Sequence, residues 1–172
     1  MASARRCCNT TLYTGRYRRI AWGLYRFRDF PDSAGDDLCA AWLAAGRDHA
    51  VVSHMSALAL LDLSDVIPAG YHLTVPRARR NVRSLPGTVL HTTTRPFDAA
   101  DLTERAGMRV TAPMRTILDA SAYGVGPEQI ALAIEQAARR AQLDPLALNT
   151  AASSYSRRVA ALIREATVMA IG

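Results

Sequence analysis

Every strand-like run in this chain is short and is soon closed by proline or a basic loop. Tyr71-His72-Leu73-Thr74-Val75 alternates and stops at Pro76. Thr88 to Thr94 is rich in β-branched residues, and Met108-Arg109-Val110-Thr111 runs into Pro113. Runs this short and interrupted cannot build a doubly wound parallel sheet. They predict an α+β domain: a short central β-sheet with flanking helices and a helical C-terminal part. At 172 residues the chain is long enough for one such domain with a short appendage.

The helices are legible from apolar spacing and end signals. Asp32-Ser33 opens a first helix through about Gly46, with Leu38, Trp42 and Ala45 on one face. Ala50-Val51-Val52 is a short apolar run. Ser53 is expected to cap a second helix, which buries Ala57, Leu58, Leu60 and Leu61. Asp98 to Arg105 reads as a short helical turn. Pro113 sits at the first position of a helix reaching about Ala122, and Gly124-Val125-Gly126 breaks it. Pro127 starts the clearest helix, with Ile130, Ile134, Ala137 and Ala141 on one face. A short turn near Asp144–Leu148 precedes a final helix from about Ser156, striped by Val159, Leu162, Ile163, Ala166 and Met169.

The charge is segregated. Residues 1–28 carry seven arginines and no acid; residues 29–65 carry seven aspartates against Arg47; residues 66–97 carry five arginines and no acid. Arg16, Arg18, Arg19, Arg26 and Arg28 alternate with aromatics around Gly23, which suggests a short hairpin. Arg77, Arg79, Arg80 and Arg83 fall in a loop after Pro76. Guanidinium forks pair with phosphate oxygens, so these nine residues are the candidate DNA contacts. The alternative is a solvated surface on an arginine-biased chain.

All 21 basic residues are Arg. Without Lys there is no Walker A loop, pyridoxal Schiff base or kinase strand lysine. The lysine usual beside the acidic pair of restriction-type nucleases is missing too. The four histidines, His49, His54, His72 and His91, show no metal-ligand spacing, and Cys7, Cys8 and Cys39 match no zinc pattern. No cofactor or metal is expected, and nothing supports an enzyme. Ser53 and His54 invite a nucleophile reading, but neighbours at i and i+1 on a helix start are not expected to face each other. His54 is expected to make a structural hydrogen bond, and His72 and His91 to pair side by side between strands. Arg115 and Asp119 stand at the spacing of an intrahelical ion pair, the alternative being a pair turned to a partner. No apolar stretch reaches membrane-spanning length and no secretory signal opens the chain, so a cytoplasmic location is expected.

Four blocks in order carry a family resemblance. Arg19-Ile20-Ala21-Trp22-Gly23-Leu24-Tyr25-Arg26 resembles the wing of the winged helix-turn-helix in AbiEi-type antitoxins, the abortive-infection or type IV toxin–antitoxin family. Ser53-His54-Met55-Ser56-Ala57-Leu58 resembles the Ser-His-x-Ser-Ala-Leu helix of that family. Leu73-Thr74-Val75-Pro76 resembles its strand, and Thr111-Ala112-Pro113-Met114-Arg115-Thr116-Ile117-Leu118-Asp119 its Thr-x-Pro-x-Arg-Thr-x-x-Asp helix start. The resemblance implies an antitoxin and transcriptional regulator paired with a nucleotidyltransferase-like toxin encoded beside it. On this reading Ser53, His54, Ser56, Thr111, Pro113, Arg115, Thr116 and Asp119 are framework or partner-facing residues. MASARRCCNTTLYTG lacks a recognition-type helix. Residues 1–30 are therefore expected to hold an Arg-rich irregular segment and a wing-like hairpin, with the rest of the winged helix missing, and residues 31–172 the antitoxin-like domain. A nonspecific DNA-binding or degenerate protein without a toxin partner is the alternative.

Overall fold

The computed structural model describes residues 16–171 except Trp22, Phe30, Asp32 and Ala34. The expected irregular segment of residues 1–15, with Cys7 and Cys8, lies outside the described residues, as do Trp22 of the hairpin and the proposed helix opening at Asp32.

The protein is α+β, as the short runs predict. Strands β1 (Tyr17–Ala21) and β2 (Leu24–Phe27) form an antiparallel hairpin turned at Gly23. Helix α1 (Asp36–Gly46) follows, starting later than expected, with Ser33 hydrogen-bonded to the Asp36 carboxylate ahead of it. Then come β3 (Val51–Val52), α2 (His54–Leu60), β4 (Tyr71–Pro76), β5 (Thr88–Thr93), β6 (Leu102–Arg105) and β7 (Met108–Thr111). The last four elements are helices α3 (Pro113–Tyr123), α4 (Pro127–Arg139), α5 (Pro145–Ala152) and α6 (Arg157–Ile171).

The main sheet has the order β5-β4-β3-β7-β6. Its middle strand is the apolar run Val51–Val52, antiparallel to β4 and parallel to β7. Two expectations are corrected here. Leu102–Arg105 is not helical: only Ala99–Asp101 makes a 3₁₀ turn, and the chain then pairs antiparallel with β7. The stretch after Asp144 is a full helix, its N-cap carboxylate accepting from Leu146 N.

Side-chain alternation gives the sheet two different faces. Val52, Leu73, Val75 and Val110 point to α1, where Trp42 is buried and its indole donates to the Ala50 carbonyl at 2.8 Å. On the other side of α1 the hairpin docks: Ile20, Leu24 and Tyr25 line a shallow cleft with Cys39, Ala40 and Leu43. Arg26 reaches Asp36 at 3.3 Å and Asp37 at 3.7 Å. Cys39 is a free thiol whose pKa burial pushes up, which suits an inert role.

A second core joins α2 to α3, α4, α5 and α6 through Leu58, Ile117, Ile130, Ile134, Leu148 and Ile163. Here the sequence periods hold, with two exceptions. Ala141 lies beyond the end of α4 with a positive φ and is exposed, and Met169 is half-exposed. Pro113 takes the first turn of α3, and Gly124, at φ +107°, closes it in the left-handed conformation that glycine favours.

Gly70 sits where the turn before β4 crosses the turn before β5. A Cβ there would meet the Gly87 carbonyl oxygen at 2.5 Å, and that oxygen already accepts from Tyr71 N. Gly70→Ala is expected to destabilise the fold by about 1–3 kcal/mol through overpacking against backbone. An unchanged urea midpoint would contradict this packing.

Candidate functional site

His72 and Thr74 alternate with Leu73 and Val75, so they point away from α1. Both are buried, and the groups that satisfy them come from the family-like blocks. Ser53 Oγ bonds Thr74 Oγ1 at 2.7 Å, and Ser56 Oγ accepts from the His72 amide at 2.9 Å and reaches the Gly70 carbonyl. Thr111 Oγ1 bonds Thr116 Oγ1 at 2.7 Å and reaches the Val52 carbonyl, while Thr116 donates to the Thr111 carbonyl. Ser53, Ser56, Thr111 and Thr116 thus tie α2, the sheet and the start of α3 together. Ser53 does not cap α2 with its side chain, contrary to expectation, because its hydroxyl is committed to β4.

His54 is the second departure. Its φ is +52°, uncommon for a residue with a side chain. This geometry swings the imidazole back, and Nδ1 lies 2.9 Å from Ser53 Oγ. Adjacent residues do face each other here, because His54 opens α2 with a positive φ. Ser53 is fully buried and already bonded to Thr74, so its hydroxyl is not open to a substrate.

The ring of His54 stacks on His91 at 3.6 Å, tilted by 13°. His91 Nε2 in turn meets His72 Nδ1 at 3.0 Å, the side-by-side pairing expected between adjacent strands. Tyr123, half-exposed at the end of α3, packs edge-on against all three rings. The His72–His91 bond needs one N–H and one lone pair, so the two rings cannot both be protonated. Burial and the neighbouring imidazoles push His54 down to about 3 and His91 to about 4, and burial lowers His72 as well. Stacked rings do not converge their lone pairs, and no metal-competent cluster occurs among the described residues.

Arg115 and Asp119 form the pair their spacing predicts. Arg115 Nε lies 2.9 and 2.8 Å from the two carboxylate oxygens. Neither is turned outward: their side chains are 11% and 9% exposed. Arg115 also reaches Asp101 at 3.5 Å and lies over the Phe97 ring, 5.1 Å from its centroid. Tyr155, from the turn before α6, donates to Asp119 at 3.1 Å. Burial raises the Asp119 carboxyl, against the pull of Arg115 and the Tyr155 hydroxyl, and it raises the Tyr155 phenol too. Asp101 and Tyr155 carry no local signal; they join Arg115 only through the tertiary fold.

The candidate DNA residues divide. Arg16, Arg18, Arg19 and Arg28 of the hairpin are exposed, as are Arg77, Arg79, Arg80 and Arg83 of the loop after β4. Val82 of that loop packs, partly buried, against the same core as α1. Arg26 differs: its charge is spent on Asp36 and Asp37, holding the hairpin to α1.

No protein-family model and no curated protein matches the chain. Among solved structures, the crystal structure of the RV2827C protein from Mycobacterium tuberculosis superposes with a TM-score of 0.61 at 16% identity. The match covers 94% of this chain and 65% of that one, so this chain spans about two-thirds of its neighbour's length. At that identity the likeness is one of fold.

Unfolded imidazoles titrate near 6.5. Those of the folded protein refuse a proton until about 3 at His54 and about 4 at His91. The unfolded state therefore binds more protons in between: the stability these rings contribute is full above about pH 6.5 and declines as the pH falls toward 4. Tm should be level from pH 8 to 7 and drop progressively below 6.5. Asp119, raised in the fold, works in the opposite sense, so the shallower slope expected of His91→Gln isolates the imidazole part. A flat Tm across this window would refute the neutral cluster. Asp119→Ala, which leaves the buried Arg115 with only the longer contact to Asp101 and strands the Tyr155 hydroxyl, should cost about 3 kcal/mol in urea denaturation. Tyr155→Phe should cost only about 1 kcal/mol.

Proposed function

We propose that this protein is the antitoxin and regulator of a type IV, AbiEi-like toxin–antitoxin pair, acting in the cytoplasm beside a nucleotidyltransferase-like toxin. The observation that carries the reading is the convergence of three of the four family-like blocks. Ser53 and Ser56 bond Thr74 and the His72 amide, and Thr111 reaches the Val52 carbonyl beside them, so blocks distant in sequence meet on one sheet face. Residues at these spacings would recur for such a structural reason. The exposed arginines of the hairpin and of the loop after β4 supply the DNA contacts of the regulator. No helix among the described residues is long and apolar enough to cross a membrane.

The test is genetic. Induction of the nucleotidyltransferase-like reading frame encoded beside this gene should arrest growth, and co-expression of this chain should restore it. Absence of such a neighbour, or no rescue by a folded protein, overturns the reading. The DNA part is tested separately. Duplex affinity should fall steeply with salt, depend little on sequence, and weaken for Arg18→Gln and Arg79→Gln. Arg26→Gln should instead loosen the hairpin. No binding at low salt would remove the DNA role.

A further inference from the structure

A cleft of about 280 Å³ opens at one end of the sheet, on the opposite side of β3 from α2. It lies where β4 and β5 finish and where β3 and β7 begin, and it is lined by Thr93, Thr94, Arg95, Phe97, Arg109 and His49. Of the cleft lining only Pro76 belongs to the family-like blocks.

Arg109 is the telling residue. It is half-buried on β7, and its Nη1 donates to the Asp48 main-chain carbonyl at 2.8 Å. That acceptor is neutral. Among the described residues no carboxylate lies within ion-pair distance of this guanidinium, not even that of its cross-strand neighbour Glu104, whereas Arg95 is answered by Asp98 and Asp101. A half-desolvated cation without a counter-charge in a concave site is stabilised by an anion able to accept its remaining N–H groups. The Thr93 and Thr94 side chains add hydroxyls, although Thr93 Oγ1 now donates to the Arg95 carbonyl. Part of the lining is apolar. Phe97 lines the cleft with Pro76 and Pro96, and Arg115 lies over its ring. An aromatic ring and prolines in the same cleft as a guanidinium suit a base attached to a phosphate, since base–aromatic stacking tolerates any base. The volume exceeds what a bare phosphate fills and lies near the lower bound for small-ligand sites. Arg77 follows Pro76 on the rim and leads into the basic loop, where a longer strand would continue.

We propose that this cleft binds a nucleotide, its phosphate on Arg109 and its base against Phe97, either free or as the end of a single strand. The inference stands apart from the antitoxin reading: it needs no toxin partner and no duplex contact at the hairpin.

The experiment is a titration of the full chain, followed by backbone NMR, with three probes: inorganic phosphate, deoxyadenosine monophosphate and a 5′-phosphorylated six-nucleotide deoxyoligonucleotide. Saturable shifts are expected at residues 93–97 and 109 with both nucleotide probes. Tighter binding of the oligonucleotide assigns a strand end, and equal binding a free nucleotide. Arg109→Gln should weaken both about tenfold or more. Phe97→Leu should weaken both but leave phosphate binding unchanged. Should Arg109→Gln not fold, Thr94→Glu, which places a like charge in the cleft, must reduce nucleotide binding in its stead. Three results overturn the proposal: no saturable shifts at millimolar probe, shifts confined to the hairpin, or phosphate binding as tightly as the nucleotide.

Discussion

Two residues hold the middle of the sheet. Val51 and Val52 form the shortest strand, yet they pair with β4 on one side and β7 on the other. A strand of two residues offers few ladder hydrogen bonds, so side chains complete the joint. Ser53 continues the strand's line, its amide donating to the His72 carbonyl and its hydroxyl meeting Thr74. Thr111 answers from the β7 side through the Val52 carbonyl. These bonds are buried, and a buried polar group left without a partner costs more than its bond contributes. The joint is therefore all-or-none: the serine and threonine positions depend on one another, and α2 and α3 are placed by them.

The same requirement explains why the two faces of the sheet differ. Toward α1 the contacts are apolar and tolerate adjustment around Trp42. Toward α3 the face is polar, and every group on it must find a partner of the right kind. The imidazoles meet this by remaining neutral and sharing donor and acceptor roles. Arg115 and Asp119 meet it with opposite charges, supplemented by Asp101 and Tyr155. Coulombic repulsion from Arg115 adds to the depression of His54, so the ionic cluster and the imidazole cluster bias each other.

Where local chemistry decides the structure, the sequence was readable. Pro113 and Gly124 bracket α3, Pro127 opens α4, and the spacing of Ile130, Ile134 and Ala137 gives its buried face. The hairpin about Gly23 and the pairing of His72 with His91 were legible for the same reason. Where long-range pairing decides, it was not. Val51–Val52 is too short to show a period, and Leu102–Arg105 became a strand only because β7 lay alongside it. His54 makes the structural hydrogen bond expected of it, but with Ser53, because the spacing rule that keeps neighbours apart on a helix does not apply to a residue at φ +52°. Arg109 drew no notice, as an arginine in a strand is unremarkable until the fold shows that no carboxylate meets it.

The arginines sort by this criterion better than by their density along the chain. Arg26 belongs to the densest basic segment, yet it is neutralised by two aspartates and serves packing. Arg140 lies in a charge-balanced stretch and is likewise structural, donating to the Leu61 and Asp62 carbonyls. Arg95 and Arg115 are matched by aspartates. Among the described arginines without an acidic partner, those on the hairpin and the loop after β4 are exposed, as are Arg47, Arg157, Arg158 and Arg164, and their charge is screened by solvent, whereas Arg109 is half-buried and less screened. A screened guanidinium contributes mainly to encounter and salt-dependent attraction; a half-buried one without a counter-charge contributes to a defined binding geometry. The two groups therefore fit different tasks: diffuse attraction of a phosphate backbone by the first, and seating of one phosphate group by the second.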